Sequence, residues 1–314
     1  MIEYRLGCLE SPDHSNYGDA WMLYSRHKLL LALLGNHDGR MGSSDFMKHL
    51  FLLTRLQEPP EYSFLPYRYG CFSFQAYSDR RRLIRAGYLQ NANGWSLTDK
   101  GRAALEGPVA DRLDWVMDAG KPYASLNGND LISYVYRQYP FYAINSTIAE
   151  DILSEQDLIL VDLARPKSES PAIFSIGYQG RSVDRFFEIL LENAVDTLVD
   201  VRKNAFSMKY GFSKGILNRI SRAMDIQYMH MPALGIESSK RRELRTQSDY
   251  DDLLDDYERT VLPSRQEELD SLRQLVSDRH RIALMCYEEK PQQCHRTRVA
   301  IRLGEMAELQ PQLI

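Results

Sequence analysis

Between Cys286 and Arg296 the chain packs two thiols, an acid, an imidazole and a guanidinium into one short run, Cys286-Tyr-Glu288-Glu-Lys-Pro291-Gln-Gln-Cys294-His295-Arg296. Several chemistries are open to these residue types. Glu288 can serve as a general acid or base, or as a carboxylate that stabilises a sugar cation. Its bland use is a salt bridge to Arg202 or Arg296. Cys294 has the type of a nucleophile, but a catalytic thiol needs a positioned base, and His295, adjacent in sequence, points elsewhere on a helix. Cys286 reads as a buried apolar thiol. Ligand type allows a metal site from Cys286, Cys294, His295 and His230, yet Cys-x7-Cys-His belongs to no common zinc spacing, so neither a metal nor a cofactor is expected.

The elements that must position these groups can be read around them. Arg281-Ile-Ala-Leu-Met285 has the look of a short buried strand and Thr297 to Leu309 that of a helix, so the polar run fills a strand-to-helix turn. Open α/β sheets bind their ligands at such turns. Cys294, His295 and Arg296 would open the helix, where unpaired N–H groups favour an anion. Upstream, Ile173–Gly177, Thr197–Val201 and Ile226–Met231 read as strands, interleaved with helices over Val183–Ala194, Lys214–Met224, Tyr250–Thr260 and Arg265–Asp278. This alternation predicts a Rossmann-like α/β domain over residues 166–314 with a mostly parallel sheet. Gly177-Tyr-Gln-Gly180 lacks the dinucleotide spacing, and there is no phosphate-loop motif, which excludes NAD-binding and P-loop nucleotide hydrolases.

The carboxyl ends of parallel strands share one rim. Here they deliver Gly177, Tyr178 and Gln179, then Asp200 and Arg202, then His230, then Cys286 and Glu288. Glu288 and Asp200, with Tyr178, form the expected catalytic set. Gly177, Gln179, Arg202, His230, Cys294, His295 and Arg296 are the expected substrate or phosphate contacts, the two arginines gripping phosphate bidentately. The basic stretch from Ser207 to Arg222, with Tyr210 and Phe212 among its charges, offers Lys209 and Lys214 to a nucleic-acid backbone.

The first half reads differently. Helices over Lys28–Leu34, Ser43–Leu56 and Phe74–Ala86 precede a two-strand turn at Asn93-Gly94 and a helix from Asp99, which is a winged-helix order. An N-terminal winged-helix domain over residues 1–165 is expected, beginning with a polar leader of about 25 residues and ending in a helical extension. Arg165-Pro-Lys-Ser-Glu-Ser-Pro171 is the candidate linker. Arg80, Arg81, Arg82 and Arg85 on the third helix can meet DNA phosphates or base edges; solvated charge, with the module mediating a homodimer, is the alternative.

Composition sets bounds on these readings. A chain of 314 residues with 44% hydrophobic content can build two cores. The apolar run Leu29–Leu34 falls far short of the roughly 20 residues of a spanning helix, so a cytoplasmic protein without membrane contact is expected. Four cysteines, at 8, 71, 286 and 294, are too few for a disulfide scaffold. The formal charge of −4 argues against a uniformly basic nucleic-acid binder, although residues 201–250 are basic and 151–200 acidic.

Four spaced motifs carry a family resemblance: Ser175-Ile-Gly177-Tyr178 with Phe186; Leu198-Val-Asp200-Val-Arg202; Tyr228-Met-His230-Met-Pro232-Ala-Leu-Gly235; and Cys286-x-Glu288-x-x-Pro291-x-x-Cys294-His295-Arg296. Together, over residues 172–305, they resemble the domain of unknown function 488 family, departing from it at Tyr178, where the family carries His. The resemblance implies a fold and a site. Tyr62-Ser-Phe64-Leu-Pro66-Tyr67-Arg-Tyr69-Gly70 and Trp95-Ser-Leu97-Thr98-Asp-Lys100-Gly101 make residues 27–140 similar to bacterial winged-helix domains of transcriptional regulators and phage-defence proteins. Residue chemistry and resemblance lead to the expectation of a DNA-associated hydrolase acting on a base, modified base or nucleotide, in the manner of a DNA glycosylase. A ligand-sensing winged-helix regulator is the alternative, and a thiol-based redox or metal sensor using Cys286 and Cys294 a third.

Overall fold

The computed structural model describes residues 22–241 and 244–314; the expected leader lies almost wholly, and Cys8 entirely, outside them. The first half is mostly helical. The run Leu29–Leu34 is apolar on every side and buries entirely within α1 (Ser25–Gly35), the central helix of this half. A short strand β1 (Arg40–Met41) leads to α2 (Ser43–Thr54), then to the antiparallel pair β2 (Leu65–Tyr67) and β3 (Gly70–Phe72), and to α3 (Phe74–Arg85). Ser73 caps α3 by accepting from the Ala76 N–H. The chain then turns through Asn93-Gly94 into β4 (Trp95–Ser96), which pairs with β1, while Leu89 bridges Leu97. Gly94 is required at this turn. Its φ is +80°, and a Cβ would lie 2.7 Å from the Met41 carbonyl oxygen. The helices α4 (Asp99–Leu105), α5 (Ala110–Gly120), α6 (Gly128–Gln138), α7 (Ala149–Ile152) and α8 (Glu155–Leu163) complete this half. The expected helices are present, and β1 and the β2–β3 pair are strands the sequence reading did not anticipate.

The second half is an α/β fold: β5 (Ala172–Gly177), α9 (Val183–Glu192), β6 (Thr197–Asp200), α10 (Lys214–Ala223), β7 (Gln227–His230), α11 (Gln247–Asp256), α12 (Gln266–Ser277), β8 (Arg281–Cys286), α13 (His295–Ala307) and β9 (Gln312–Leu313). All five strands are parallel, in the order β7-β6-β8-β5-β9. Side-chain alternation places one apolar layer on each face. Phe174, Ile176, Leu198, Ala283 and Met285 face α9, α10 and the first half of the chain, in one continuous core. Ile173, Val199, Ile282 and Leu284 face α11, α12 and α13. The last strand, β9, was not anticipated; Gln312 and Leu313 are polar or exposed, and only their pairing to Phe174 and Ser175 reveals it. Among the described residues no helix is long and apolar enough to cross a membrane.

The two halves meet through α9. Asp184, fully buried, accepts hydrogen bonds from Phe74 N–H at 2.7 Å, Gln75 N–H at 2.8 Å and Ser73 Oγ at 3.1 Å, so a carboxylate of the α/β half covers the N-terminus of α3. Tyr142 donates to Glu188 at 2.7 Å one turn further along. Burial pushes the Asp184 carboxyl up to about 7, against its three donors and with the help of neighbouring Glu188. Because this folded-state pKa lies above the ordinary value of 3.8, the protonated form is the one the fold favours. Its contribution to stability is complete below about pH 4 and is lost as pH rises through 7. Asp184→Asn is expected to flatten that part of the pH dependence, measured as urea unfolding free energy at pH 5 and pH 7.5; an unchanged slope would refute the assignment.

Candidate functional site

The site forms at the carboxyl ends of the three central strands, where the register sets Gly177 beside Cys286 and Asp200 beside Met285. The turns that leave β5 and β8 run together: Tyr178 N–H donates to the Cys286 carbonyl, Gln179 N–H to that of Tyr287, and the Glu289 N–H to Gln179 Oε1. Gly177 permits this approach. A Cβ there would lie 1.9 Å from the Glu288 carbonyl oxygen, a backbone atom that cannot step aside alone. Gly177→Ala is therefore expected to push the Glu288 turn off β5 at a cost of about 1–3 kcal/mol. Urea unfolding measures this, and a cost near zero would mean the turn moves freely.

Two polar groups occupy this rim. In the first, Asp200, with no exposed surface, accepts from the Arg202 side chain at 2.8 and 2.6 Å, from the Arg202 N–H at 3.1 Å and from Tyr228 Oη at 2.8 Å. Arg202 also donates to Tyr178 Oη at 2.9 Å and to the Phe212 carbonyl, and Tyr178 stacks on the Phe212 ring with centroids 4.2 Å apart. His230 closes the group, its Nε2 2.9 Å from the Arg202 carbonyl oxygen. These partners make Asp200 the anchor of Arg202, and Tyr178 a wall.

The second group is built on the run between β8 and α13. The single turn Pro291–Gln293 folds Cys294 back over the end of β8, so both sulfurs meet one carboxylate. Glu288 Oε2 accepts from Cys286 at 3.3 Å and from Cys294 at 2.9 Å, and Oε1 is ion-paired with Arg241. Arg241 also lies 2.6 Å from His295 Nδ1, and His295 Nε2 lies 2.9 Å from the Val201 carbonyl. Burial, and after it the Cys286 thiol, hold the Glu288 carboxyl above its usual range against the pull of Arg241. Burial pushes the Cys286 thiol up as well, but the Cys294 hydrogen bond, His295 and Arg241 more than reverse it and bring that thiol well below the ordinary value. Cys294 moves well above it, because burial, the bond to Cys286 and the charge of Glu288 act together.

Between the two groups opens a cleft of about 170 Å³. Tyr178, Arg202, Cys286, His295 and Arg241 line its interior, and Lys203, Asn204, Phe206 and Tyr287 its mouth, where Phe206 is 68% and Tyr287 46% exposed. A larger hollow of about 510 Å³ near Glu169–Pro171 and Val276–Arg279 lies at the opposite, amino ends of the strands and holds none of these groups.

The structure brings together Tyr178, Arg202, Cys286, Glu288 and His295. Asp200 and His230 support them from behind. Arg296 is buried, with its guanidinium on Ser175 Oγ and on the carbonyls of Glu288 and Glu289, so it clamps the turn. Lys209 Nζ is held at 3.0 Å by the Tyr178 carbonyl oxygen, and Lys214 stands exposed at the start of α10. Of the α3 arginines, Arg80 donates to the Ala92 and Gly94 carbonyls and lies over Trp95, which stiffens the Asn93-Gly94 turn. Arg81 rests on Tyr210 of the other half, while Arg82 and Arg85 are exposed.

Sequence reasoning missed Arg241, whose only signal is its place in the basic run Lys240-Arg-Arg242, and the mouth residues Lys203, Phe206 and Tyr287. Neither a curated protein nor a solved structure matches the chain. No match supports a winged-helix family for the first half. Residues 182–303, from the start of α9 into α13, match the family model described as the domain of unknown function DUF488.

Proposed function

We propose that the cleft is the active site of a hydrolase acting on a base, modified base or nucleotide of nucleic acid, with glycosylase-like release of a base as the reaction its groups suit. The observation that carries this reading is Glu288. Its carboxyl is 12% exposed and bound to a guanidinium and two thiols, and of these partners Arg241 and Cys286 line the aromatic-walled cleft. A carboxyl in that setting is suited to proton transfer or to stabilising a sugar cation. Tyr287 and Phe206 offer faces for a flipped base, and Lys203 and Arg241 offer charge for its phosphate. The volume is below the roughly 300–1,000 Å³ of drug-sized pockets, which suits one ring system rather than a dinucleotide. DNA is the proposed partner, through Arg82 and Arg85 on the exposed face of α3. The test is mass spectrometry of bases and nucleosides released from single- and double-stranded DNA, unmodified and carrying modified cytosine or thymine. No release from any substrate would overturn the reading.

One observation favours a second reading, a ligand-sensing regulator: Asp184 ties α3 to the helix that follows the site strand β5. Tight DNA binding that changes with a small anion or nucleotide, in the absence of any release, would select it.

A further inference from the structure

We propose that Cys286, Cys294 and His295 are three ligands of a single divalent ion of the zinc class. Their two sulfurs and Nδ1 all lie within 4.8 Å of one another, with Nδ1 3.9 Å from the Cys286 sulfur and 4.0 Å from that of Cys294. Zinc bonds of about 2.3 Å to sulfur and 2.0–2.1 Å to nitrogen, at a tetrahedral angle, set those atoms about 3.6 Å apart. The two nitrogen–sulfur sides are therefore within a few tenths of an ångström of ligand spacing, and the sulfur–sulfur side, within 4.8 Å, has to close to about 3.8 Å to hold an ion. The tautomer is already the required one. His295 Nε2 faces the Val201 carbonyl oxygen at 2.9 Å and can only donate to it, so the lone pair of the neutral ring sits on Nδ1 and faces the sulfurs. All three residues are buried, and two thiolates would persist there only beside a cation.

His230, a possible fourth ligand by residue type, is not part of this group, being held at the Arg202 carbonyl. Two cysteines and one histidine are a set that leaves a fourth position for water. Glu288 stands beside it. Once both thiols have given up their protons to solvent, Oε2 loses the two donors it has at 3.3 and 2.9 Å, and a water on the ion is the donor that replaces them. Arg241 competes with the ion for Nδ1 and keeps its other hold, on Glu288 Oε1. The guanidinium is thus the cation of the metal-free cluster. The role of Glu288 toward that water rests on the hydrolytic reading above, whereas the ligand set does not.

The full-length protein, stripped with chelator and titrated with Co²⁺ alone, is expected to take up one ion per chain. Thiolate-to-cobalt charge-transfer bands and the intense visible bands of a tetrahedral ion should appear, and Zn²⁺ should bleach them. Cys8→Ser with Cys71→Ser, Arg241→Ala and Glu288→Gln should each keep the bands. Cys286→Ser, Cys294→Ser or His295→Ala should weaken uptake by more than the ~10–100-fold typical of an outer-shell partner. The wild-type spectrum needs no variant, so it decides even if a variant misfolds. Saturating Co²⁺ without thiolate bands, or bands that survive in the Cys286→Ser, Cys294→Ser double variant, overturns the site. Ion uptake with no base release sinks the hydrolytic reading and leaves the site standing. Release that continues in chelator-stripped protein removes the role given to the ion and leaves hydrolysis.

Discussion

Glu288→Gln is expected to lower base or nucleotide release by about 10²–10⁴-fold, the range that a positioned acid or base contributes. Glutamine keeps the length and shape of the side chain and still offers an oxygen to Arg241, but it can neither gain nor lose a proton nor stabilise a cation with a full charge. The fold should lose about 1–3 kcal/mol, because the Arg241–Glu288 pair keeps only 24% and 12% of its side-chain surface open and the two thiols lose a charged acceptor. Single-turnover release assays on the wild type and the variant, with urea unfolding alongside, therefore separate chemistry from stability. A variant that unfolds like the wild type and releases product at the same rate would exclude Glu288 from the chemistry and move attention to the sulfurs.

The largest effect on stability is expected at Arg202. Arg202→Met leaves the Asp200 carboxylate, with no exposed surface, only the Tyr228 hydroxyl and one backbone N–H as partners, and should cost about 3–5 kcal/mol. Set against a total of about 5–15 kcal/mol for a folded domain, that is enough to unfold much of the population at moderate temperature. The double variant Asp200→Leu, Arg202→Met should recover most of the loss, since removing both charges also removes the cost of burying one alone. Urea unfolding of the two single variants and the double gives the coupling directly. A single-variant cost below about 1 kcal/mol would mean that Asp200 finds another partner or reaches water when Arg202 is gone.

The sequence was informative where periodicity and local chemistry agree. Three of the five parallel strands, β5, β6 and β8, were visible as apolar runs, because buried parallel strands need no polar alternation, whereas β7 at the edge is half-exposed and was read from its place in the order. Their polar exits marked the correct rim. The fifth strand is two residues long and defined only by its partner, and β1 and the β2–β3 pair are likewise set by contacts rather than by pattern. At the site, residue type identified Glu288, Cys294 and His295 but not their geometry. His295 follows Cys294 directly, which argues against contact when both are imagined on one helix. In the structure Cys294 is the extended residue before α13, with φ −135° and ψ 131°, so its side chain leaves from a different backbone direction and both atoms reach one centre. Arg241 reaches the same centre from a loop 45 residues before Cys286, a closure that no local pattern records.

The strand order bears on how the chain acquires its shape. β8 lies at the centre of the sheet, between β5 and β6, yet it is the fourth strand to be synthesised, and Gly177 must wait for Cys286 to find its neighbour. Until then β5 and β6 have no common partner, and their facing edges are open to pairing with another chain. Contacts so distant in sequence form slowly, because loop closure is opposed by entropy before any pairing rewards it. Assembly of the sheet is therefore a late event, concentrated at β8. The residues that converge on the cleft meet only in that same event, so no partly built form of this half holds the assembled cleft, and crowded nascent chains are most exposed to misassociation just before it.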